Sequence, residues 1–258
     1  MNTSFVTSPD GTRIAYECSG AGPALVLVHG GGGSRLDWQE AGYVERLRDR
    51  FTVITLDLRG HGESALSSDP ADYTLAKQHQ DILAVADACG AQRFSLWSIS
   101  YGSKISRYLG IQSERIDRLA LMSAVLGPGA TEKIRQEVLA FCEHWPPILQ
   151  AQAEGRLDLD SLSERDRELL ANVNVAAMLG WGPAMAGWPA VDPAGFRCPT
   201  LWLVGAEDPN VMDSYAEYRE ALAGTKVQAR LLEGLDHGQV FYEIDTVLPI
   251  LLEFMQAK

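Results

Sequence analysis

Short apolar runs alternate along this chain with segments of helical periodicity, and that alternation predicts an α/β fold with a mostly parallel sheet. The turn signal Pro9-Asp10-Gly11 separates two short strand patterns and predicts an opening hairpin. The run at 24–28 is apolar at every position, which is typical of a central strand covered by helices on both faces. Further strands are predicted at 51–56, 94–97, 116–122, 200–204 and 227–232, and helices at 39–48, 75–86, 101–109, 214–223 and from Asp245 onwards.

The alternation breaks between residues 124 and 196, where helical patterns follow one another without a strand. Apolar spacing predicts helices over 134–142 and 173–179, and glycine, proline and tryptophan cluster at 180–189. We therefore predict one domain over residues 1–258, with a helical insertion at 124–196 that lies over the sheet. Strands in this insertion that continued the central sheet would contradict that interpretation.

Composition narrows the possible partners. The 258 residues are 46% hydrophobic and 22% charged, which is ordinary for a globular protein, and the formal net charge is −12. This charge argues against binding to the backbone of a nucleic acid and against binding to an anionic membrane surface. The first ten residues show no secretory signal, and no apolar run approaches the roughly 20 residues that span a bilayer.

The four cysteines, Cys18, Cys89, Cys142 and Cys198, are far apart and have no histidine at ligand spacing, so we expect no metal site. Scattered cysteines fit reduced thiols, and we expect a cytoplasmic protein. The glycines at 30–33 follow a buried strand and form either a flexible loop or a close backbone approach to a ligand, but the lysine of a phosphate-binding loop is missing.

The stretch from Phe94 to Gly102 has the pattern of a strand that turns sharply into a helix. A bend that presents a nucleophile in this way requires small residues two positions before and after it, because backbone segments approach closely there. Ser100 meets this requirement with Ser98 and Gly102, whereas the other serines of the stretch are flanked by large residues. We predict that Ser100 is the nucleophile of a nucleophile elbow, in a variant with Ser98 where glycine is usual. The alternative is a strand-to-helix turn without chemistry.

A serine nucleophile needs a base, and the base needs an acid to orient it. His237 follows the last predicted strand, and catalytic groups of a parallel sheet gather at the carboxyl ends of its strands. Asp208 follows the strand at 200–204 and is the candidate acid, with Glu207 and Asp236 as alternatives. The chain order Ser100, Asp208, His237 is that of α/β-hydrolase triads.

Together these motifs resemble the α/β-hydrolase superfamily, in its compact form with a helical cap. The resemblance implies an eight-stranded, mostly parallel sheet with helices on both faces, and it requires no metal or cofactor. It also implies an oxyanion hole made by the backbone N–H groups of Tyr101 and Gly31, with Gly32 as the alternative to Gly31. The matching segments cover most of the chain outside the insertion and are His29-Gly30-Gly31, Asp57-Leu58-Arg59-Gly60-His61-Gly62, the elbow at Ser100, Gly205-Ala206-Glu207-Asp208 and Gly234-Leu235-Asp236-His237.

Other polar and aromatic side chains receive supporting roles. Arg59 and His61 recur in related family members, and we expect them to support the loop after the fourth strand. His79 lies on the apolar face of its predicted helix and is interpreted as a core residue. Trp97, just before the elbow, is expected to pack in the core.

The resemblance and the predicted serine nucleophile imply a hydrolase of carboxylic esters or lactones. Haloalkane dehalogenases and epoxide hydrolases of the superfamily carry aspartate at the elbow, so we do not expect their activities here. Two alternatives stay open: a C–C bond hydrolase of ring-cleavage products, and a hydrolase-like ligand-binding receptor.

Candidate substrate-binding residues lie in the insertion, which is rich in tryptophan and methionine. Trp145, Trp181, Trp188 and Met178 either pack the insertion onto the sheet or line an apolar pocket. If they face inward, the pocket suits a small-molecule substrate with an apolar acyl or aryl group.

Overall fold

Eight strands form a single sheet in the computed structural model of this chain, which describes residues 3–127 and 129–256. In chain order, the strands are β1 (Ser4–Thr7), β2 (Arg13–Gly20), β3 (Ala24–Val28), β4 (Thr52–Leu56), β5 (Phe94–Ile99), β6 (Ile116–Met122), β7 (Thr200–Gly205) and β8 (Val227–Leu232). Their order across the sheet is β1-β2-β4-β3-β5-β6-β7-β8. Strand β2 is antiparallel to both of its neighbours, and all pairs from β4 to β8 are parallel.

The strand order reverses next to β3, because β4 lies on one side of β3 and β5 on the other. In open α/β sheets such a reversal leaves a crevice at the carboxyl ends of the two central strands, and ligands bind there. Strand β3 leads into the glycine loop at 29–35, and β5 leads into Ser100. The topology therefore brings the glycine loop and the predicted elbow to the same place.

Helices cover both faces of the sheet, as predicted. Their bounds are α1 (Asp37–Glu40), α2 (Tyr43–Leu47), α3 (Leu75–Ala88), α4 (Ser100–Gln112), α5 (Glu132–Ala153), α6 (Glu164–Asn172), α7 (Val175–Ala186), α8 (Pro209–Tyr218), α9 (Gln239–Tyr242) and α10 (Ile244–Gln256). Alternate residues of β3 show the two-sided burial: Val26 and Val28 join the apolar cluster under α3 and α4, and Leu25 and Leu27 join the cluster under α2 and α10. The predicted fold class is confirmed.

Several predicted helices have other bounds in the structure. The helices predicted at 134–142 and 173–179 are α5 and α7, which extend to Ala153 and Ala186. The helix predicted at 39–48 is two short helices, α1 and α2, because Gly42 between them adopts a left-handed conformation with φ of 83°. The helix predicted at 214–223 is α8, which begins five residues earlier, at Pro209, and ends at Tyr218. Asp208 caps its first turn by accepting a hydrogen bond from the backbone N–H of Asn210, and proline is well suited to the first helical position.

The segment at 124–196 contains helices α5, α6 and α7 but, in its described residues, no strand of the sheet. Its described residues form an isolated β-bridge between Gly127 and Val191. Trp181, Met185 and Trp188 belong to the same apolar cluster as Tyr101 of α4, so the segment packs on the carboxyl-terminal side of the elbow.

No single helix in the described part of the chain is long and apolar enough to cross a bilayer. One bent pair, α6 with α7, passes the same length and composition criteria only when the two helices are joined across a bend of 94°. Several residues of α7 are buried inside the protein, among them Val175, Ala177 and Trp181.

Candidate active site

Ser100 stands at a sharp bend where β5 passes directly into α4. Its φ is 51°, and Ser100 and Ser123 are the two residues other than glycine with positive φ in the described ranges. A non-glycine residue in this conformation is strained by about 1–3 kcal/mol, and such strain tends to occur at functional sites. The bend directs the hydroxyl of Ser100 away from the sheet and into a cavity.

The residues on either side of the bend have to be small, as the sequence pattern requires. A Cβ atom at Gly102 would lie 2.4 Å from the carbonyl oxygen of His29 and 2.8 Å from that of Val28. Only glycine at this position therefore allows α4 to lie this close to the end of β3. Ser98 is fully buried, and its hydroxyl donates to the carbonyl of Ala120 at 3.3 Å and accepts from Ser103 at 3.2 Å. A serine replaces the usual glycine here without leaving a buried hydroxyl unpaired.

Substitution of Gly102 by alanine is expected to lower the free energy of unfolding by about 1–3 kcal/mol, because the new Cβ meets backbone oxygens that cannot move aside. Gly187→Ala is the matched control, since the nearest heavy atom to its added Cβ is 3.5 Å away. Urea unfolding of the two variants measures the difference. Equal stability of both would show that the approach of α4 to β3 is not constrained at this point.

His237 lies between Ser100 and Asp208. Its Nε2 atom is 2.9 Å from Oγ of Ser100, and its Nδ1 atom is 2.6 Å from Oδ2 of Asp208. Asp208 is completely buried, whereas the alternative acids Glu207 and Asp236 are exposed. The Asp236 carboxylate instead accepts hydrogen bonds from the backbone N–H groups at positions 238 and 239, at 2.9 and 2.8 Å. The structure therefore brings together the three side chains that the sequence pointed to.

Ser123, at the carboxyl end of β6, supports the histidine. Its hydroxyl donates to the backbone carbonyl of His237 at 3.0 Å, and its own backbone N–H donates to the carbonyl of Leu203 at 3.1 Å. Its φ is 49°. The sequence analysis did not predict a role for this residue, because a serine at the end of a strand does not by itself indicate a contact.

The glycine loop lies beside the amino terminus of α4. A Cβ atom at Gly31 would be 3.3 Å from Cβ of Tyr101, whereas one at Gly32 would meet Val173 at the same distance. The first N–H groups of a helix have no partner within the helix, and the N–H of Tyr101 is among them in α4. Gly31 and Tyr101 are therefore adjacent beside Ser100. Both glycines also approach the helical segment, Gly31 at Trp181 and Gly32 at Val173.

A buried ionic network fixes the glycine loop. The Arg35 guanidinium pairs with Asp57 and Glu63, and its Nε atom lies 3.3 Å from Glu17. Asp57 also accepts the backbone N–H groups of Arg35 and Glu63, at 2.7 and 2.8 Å. This carboxylate thus joins the glycine loop to the loop that follows β4.

Three further histidines are buried near the site. His79 lies 3.3 Å from the carbonyl of Ile105, which agrees with a core role. His29 receives the backbone N–H of Leu58 on Nε2 at 3.0 Å. The ring of His61 lies against those of Tyr101 and Trp181, with centroids 5.8 and 5.7 Å away, so His61 packs behind the elbow rather than in the cavity.

A cavity of about 390 Å³ opens above Ser100 between the sheet and the helical segment. Met178 and Trp181 line it, as the sequence suggested. Trp145 and Trp188 are buried elsewhere, 2% and 6% exposed. Trp188 stacks on Tyr101 with ring centroids 5.8 Å apart, and Trp145 packs on Phe141 at 5.7 Å.

The remaining lining combines apolar and charged groups. The charged residues of the lining are Lys104, Arg165 and Glu137, none of which the sequence analysis singled out. A signal for Lys104 was nonetheless present, because it follows Ser100 by four residues on a helix and so shares its face.

The sequence model of the alpha/beta hydrolase family matches residues 25–245 of the chain. The chain belongs to the alpha/beta hydrolase family. The matched residues of this hydrolase run from β3 to the start of α10, and they include Ser100, Asp208 and His237.

Curated relatives of this hydrolase cover different shares of its length. An uncharacterized protein of Mycobacterium tuberculosis is 36% identical over 118 residues, which are 44% of this chain and 33% of that protein. The chain thus matches about a third of that relative's length. The (E)-2-((N-methylformamido)methylene)succinate hydrolase of Acinetobacter baylyi is 28% identical over 218 residues, or 76% of each chain.

Solved structures resemble this hydrolase over nearly its whole length. A hydrolase from Pseudomonas aeruginosa superposes with a TM-score of 0.76, at 26% identity over 99% of each chain. The enol-lactonase from Burkholderia xenovorans has a TM-score of 0.76 at 20% identity, covering 98% of this chain and 100% of its own. An epoxide hydrolase from metagenomes of hot environments has a TM-score of 0.74 at 20% identity, covering 100% and 99%. The last two show a shared fold and nothing finer.

The buried histidines behind the elbow of this hydrolase predict a loss of stability in acid. Burial lowers the pKa of His29 to about 4 and, together with the nearby His29 ring, lowers the pKa of His61 to about 3. An unfolded histidine titrates near pH ~6.5, so below that pH the unfolded chain takes up protons that the folded chain does not. The free energy of unfolding should therefore decrease as the pH is lowered from about 6.5 toward these folded-state pKa values, by up to about 1.4 kcal/mol per pH unit for each histidine.

Substitution of His61 by phenylalanine should remove one histidine's share of this slope. Urea unfolding across the acid range, with the wild type beside His61→Phe, measures it. The same slope in both proteins would contradict the assignment of a low pKa to His61.

Proposed function

We propose that this protein is a serine hydrolase that cleaves a carboxylic ester or lactone through an acyl-enzyme on Ser100. The observation that carries the proposal is the hydrogen-bonded series from Ser100 through His237 to the buried Asp208, with separations of 2.9 and 2.6 Å, at the strained bend. These contacts have the lengths that proton transfer between a nucleophile, its base and an orienting acid requires.

The first half of the reaction forms the acyl-enzyme. With Nδ1 protonated and donating to Asp208, Nε2 of His237 accepts the proton of Ser100 as its oxygen attacks the carbonyl carbon. The backbone N–H groups of Tyr101 and Gly31 then stabilise the oxyanion. Loss of one such donor typically costs ~3–4 kcal/mol of transition-state stabilisation.

The second half releases the acid. The imidazolium of His237 gives its proton to the leaving alkoxide, and the alcohol departs. A water molecule then loses a proton to Nε2 and attacks the acyl-enzyme, and collapse of the second oxyanion returns the proton to Ser100. Asp208 keeps the ring in the required tautomer and stabilises the imidazolium in both halves.

The cavity supports an ester or lactone with an apolar acyl or aryl part. Its apolar wall includes Val138, Phe141, Met178 and Trp181, and all four come from the helical segment. We assign this segment the role of a cap that excludes water from the acyl group. An epoxide hydrolase of this fold is disfavoured by the serine at the elbow. The free state of all four cysteines supports a cytoplasmic location.

A substrate panel tests the proposal. It contains p-nitrophenyl esters of graded acyl length, aryl lactones and a ring-cleavage dienone, each incubated with the wild type in stopped-flow and steady-state assays. We expect turnover of the esters or lactones with a burst of nitrophenol equal to the enzyme concentration, because the acyl-enzyme accumulates when deacylation is slow. A serine-directed fluorophosphonate should transfer its phosphonyl group to Ser100 with loss of fluoride, and the peptide that contains Ser100 should gain the mass of that group.

The other outcomes identify the alternatives. Turnover of the dienone alone would favour a C–C bond hydrolase. Binding of the substrates without turnover, and without labelling of Ser100, would reject the serine hydrolase in favour of a ligand-binding receptor.

A further inference from the structure

Lys104 places a cation in the proposed acyl pocket. It lies on α4 one turn after Ser100, and residues four apart on a helix have Cβ atoms about 5–6 Å apart on the same face. Its side chain is partly buried and lines the cavity together with Ser100 and His237. Its Nζ atom lies 3.5 Å from the sulfur of Met185, which is a weak acceptor.

Lys104 makes no direct ion pair with a carboxylate of the described residues. Within residues 3–127 and 129–256, no carboxylate oxygen lies within 4.0 Å of its Nζ atom. The cavity lining holds a second cation, Arg165, and a single carboxylate, Glu137, which is exposed. The pocket therefore has an excess of positive charge in a chain whose formal net charge is −12.

Burial is unfavourable for this ammonium group. It lowers the pKa of Lys104 to about 8, with a further lowering from the nearby Arg107 and an opposing effect of Glu137. A lysine that served only packing would gain nothing from its charge among Val125, Met178 and Met185. A bound anion would compensate for the burial, because a hydrogen bond between charged partners is about twice as strong as a neutral one.

We propose that Lys104 is the anion-binding group of the acyl pocket, and that the substrate carries a carboxylate on its acyl part, about one helical turn from the scissile carbonyl. This inference rests on the proposed ester or lactone hydrolysis and specifies its substrate as a half-ester of a dicarboxylic acid or the matching lactone. The apolar wall holds the chain between the two ends. Arg165, at the rim, attracts the anion, and Glu137 disfavours substrates with further negative charge.

The test compares two esters that differ only at the far end of the acyl chain. These are mono-p-nitrophenyl adipate, which ends in a carboxylate, and p-nitrophenyl hexanoate, which ends in a methyl group. We expect the wild type to prefer the adipate by about 10- to 100-fold in kcat/KM. Lys104→Met should abolish this preference, and Lys104→Arg, which keeps the charge, should restore most of it. Lys133→Met, an exposed lysine of α5 outside this cavity, is the control and should keep the wild-type ratio.

The ratio of the two kcat/KM values should also fall as pH rises through about 8, because the free enzyme then loses the charge on Lys104. A pH effect on the catalytic groups that both esters share cancels in the ratio. The charged groups that face Lys104 are Arg107, Arg165 and Glu137. In Lys104→Met the ratio should not depend on pH.

Failure of this inference differs from failure of the proposed function. Hydrolysis of the hexanoate with no preference for the adipate, or an equal loss on both esters in Lys104→Met, would overturn the anion site and leave the serine hydrolase standing. If the protein hydrolyses neither ester, the anion site is tested by measuring the affinity of the wild type and of Lys104→Met for monoethyl adipate by calorimetry. Tighter binding to the wild type than to Lys104→Met supports the site, and equal affinity overturns it.

Discussion

Substitution of Ser100 by alanine is expected to lower kcat for ester hydrolysis by roughly 10⁴- to 10⁶-fold. The variant lacks the only oxygen within hydrogen-bond distance of Nε2 of His237, among the contacts of the described residues. Removal of a nucleophile leaves the oxyanion donors and the pocket in place, so a small rate above the uncatalysed reaction should persist. Alanine at φ of 51° is as strained as serine, so the free energy of unfolding should change little.

Ser106→Ala is the matched control for this variant. Ser106 lies on the same helix and is fully buried, and its hydroxyl has no hydrogen-bond partner in the described part of the chain. Its removal should leave kcat and KM near the wild-type values. Steady-state kinetics with active-site titration, and thermal unfolding of each variant, provide the measurements. A Ser100→Ala protein with wild-type kcat would show that the nucleophile lies elsewhere.

The sequence located these three side chains because local rules determine where each one stands. Ser100 was found from the sizes of its neighbours alone, and the close approach of Gly102 to β3 is the steric constraint behind that rule. Asp208 and His237 were found because the carboxyl ends of parallel strands meet at one edge of the sheet. Asp208 was the candidate acid because it directly follows a strand, but Glu207 and Asp236 stayed as alternatives, since burial and the direction of a side chain depend on packing between distant segments.

The pocket was harder to predict for the same reason. Trp181 and Trp188 are seven residues apart, but α7 ends at Ala186, and Trp188 lies beyond it in a different direction. Only Trp181 reaches the cavity, and Trp188 packs on the far side of Tyr101. Lys104 was overlooked because a lysine on a helix is usually solvated. Its spacing of four residues from Ser100 indicates that both lie on the same face of the helix, but its burial depends on the helical segment that packs over it.

Removal of the Asp81 carboxylate is expected to destabilise the fold by about 3–5 kcal/mol, because it leaves a buried guanidinium without its principal partner. Asp81 is completely buried, and Arg59 is 2% exposed. Two atoms of Arg59, Nε and Nη2, donate to the two oxygens of Asp81 at 2.6 and 2.7 Å. The other contacts of Arg59, to Asp10 at 3.0 Å and to the carbonyls of Asp72 and Lys77 at 2.6 and 3.3 Å, cannot replace this bidentate pair.

An exposed ion pair of the same chemistry is the control. Asp117 pairs with Arg93 at 2.6 Å, but the side chains are 46% and 59% exposed, so Asp117→Ala should cost at most about 1 kcal/mol. Urea and thermal unfolding compare it with Asp81→Ala, whose midpoint should fall by about 2–4 °C for each kcal/mol lost. A loss for Asp81→Ala no larger than for Asp117→Ala would contradict the structural role of the buried pair.

Removal of both partners separates the cost of an unpaired charge from the value of the pair itself. The double variant Arg59→Met, Asp81→Ala buries no charge, so it should be more stable than Asp81→Ala alone. Arg59 also fixes the loop that carries His61, whose ring packs against Tyr101 beside Ser100. Asp81→Ala should therefore lower kcat for ester hydrolysis as well, at temperatures where the variant is still folded. Retention of full kcat would show that the loop keeps its position without the ion pair, and that Arg59 contributes to stability alone.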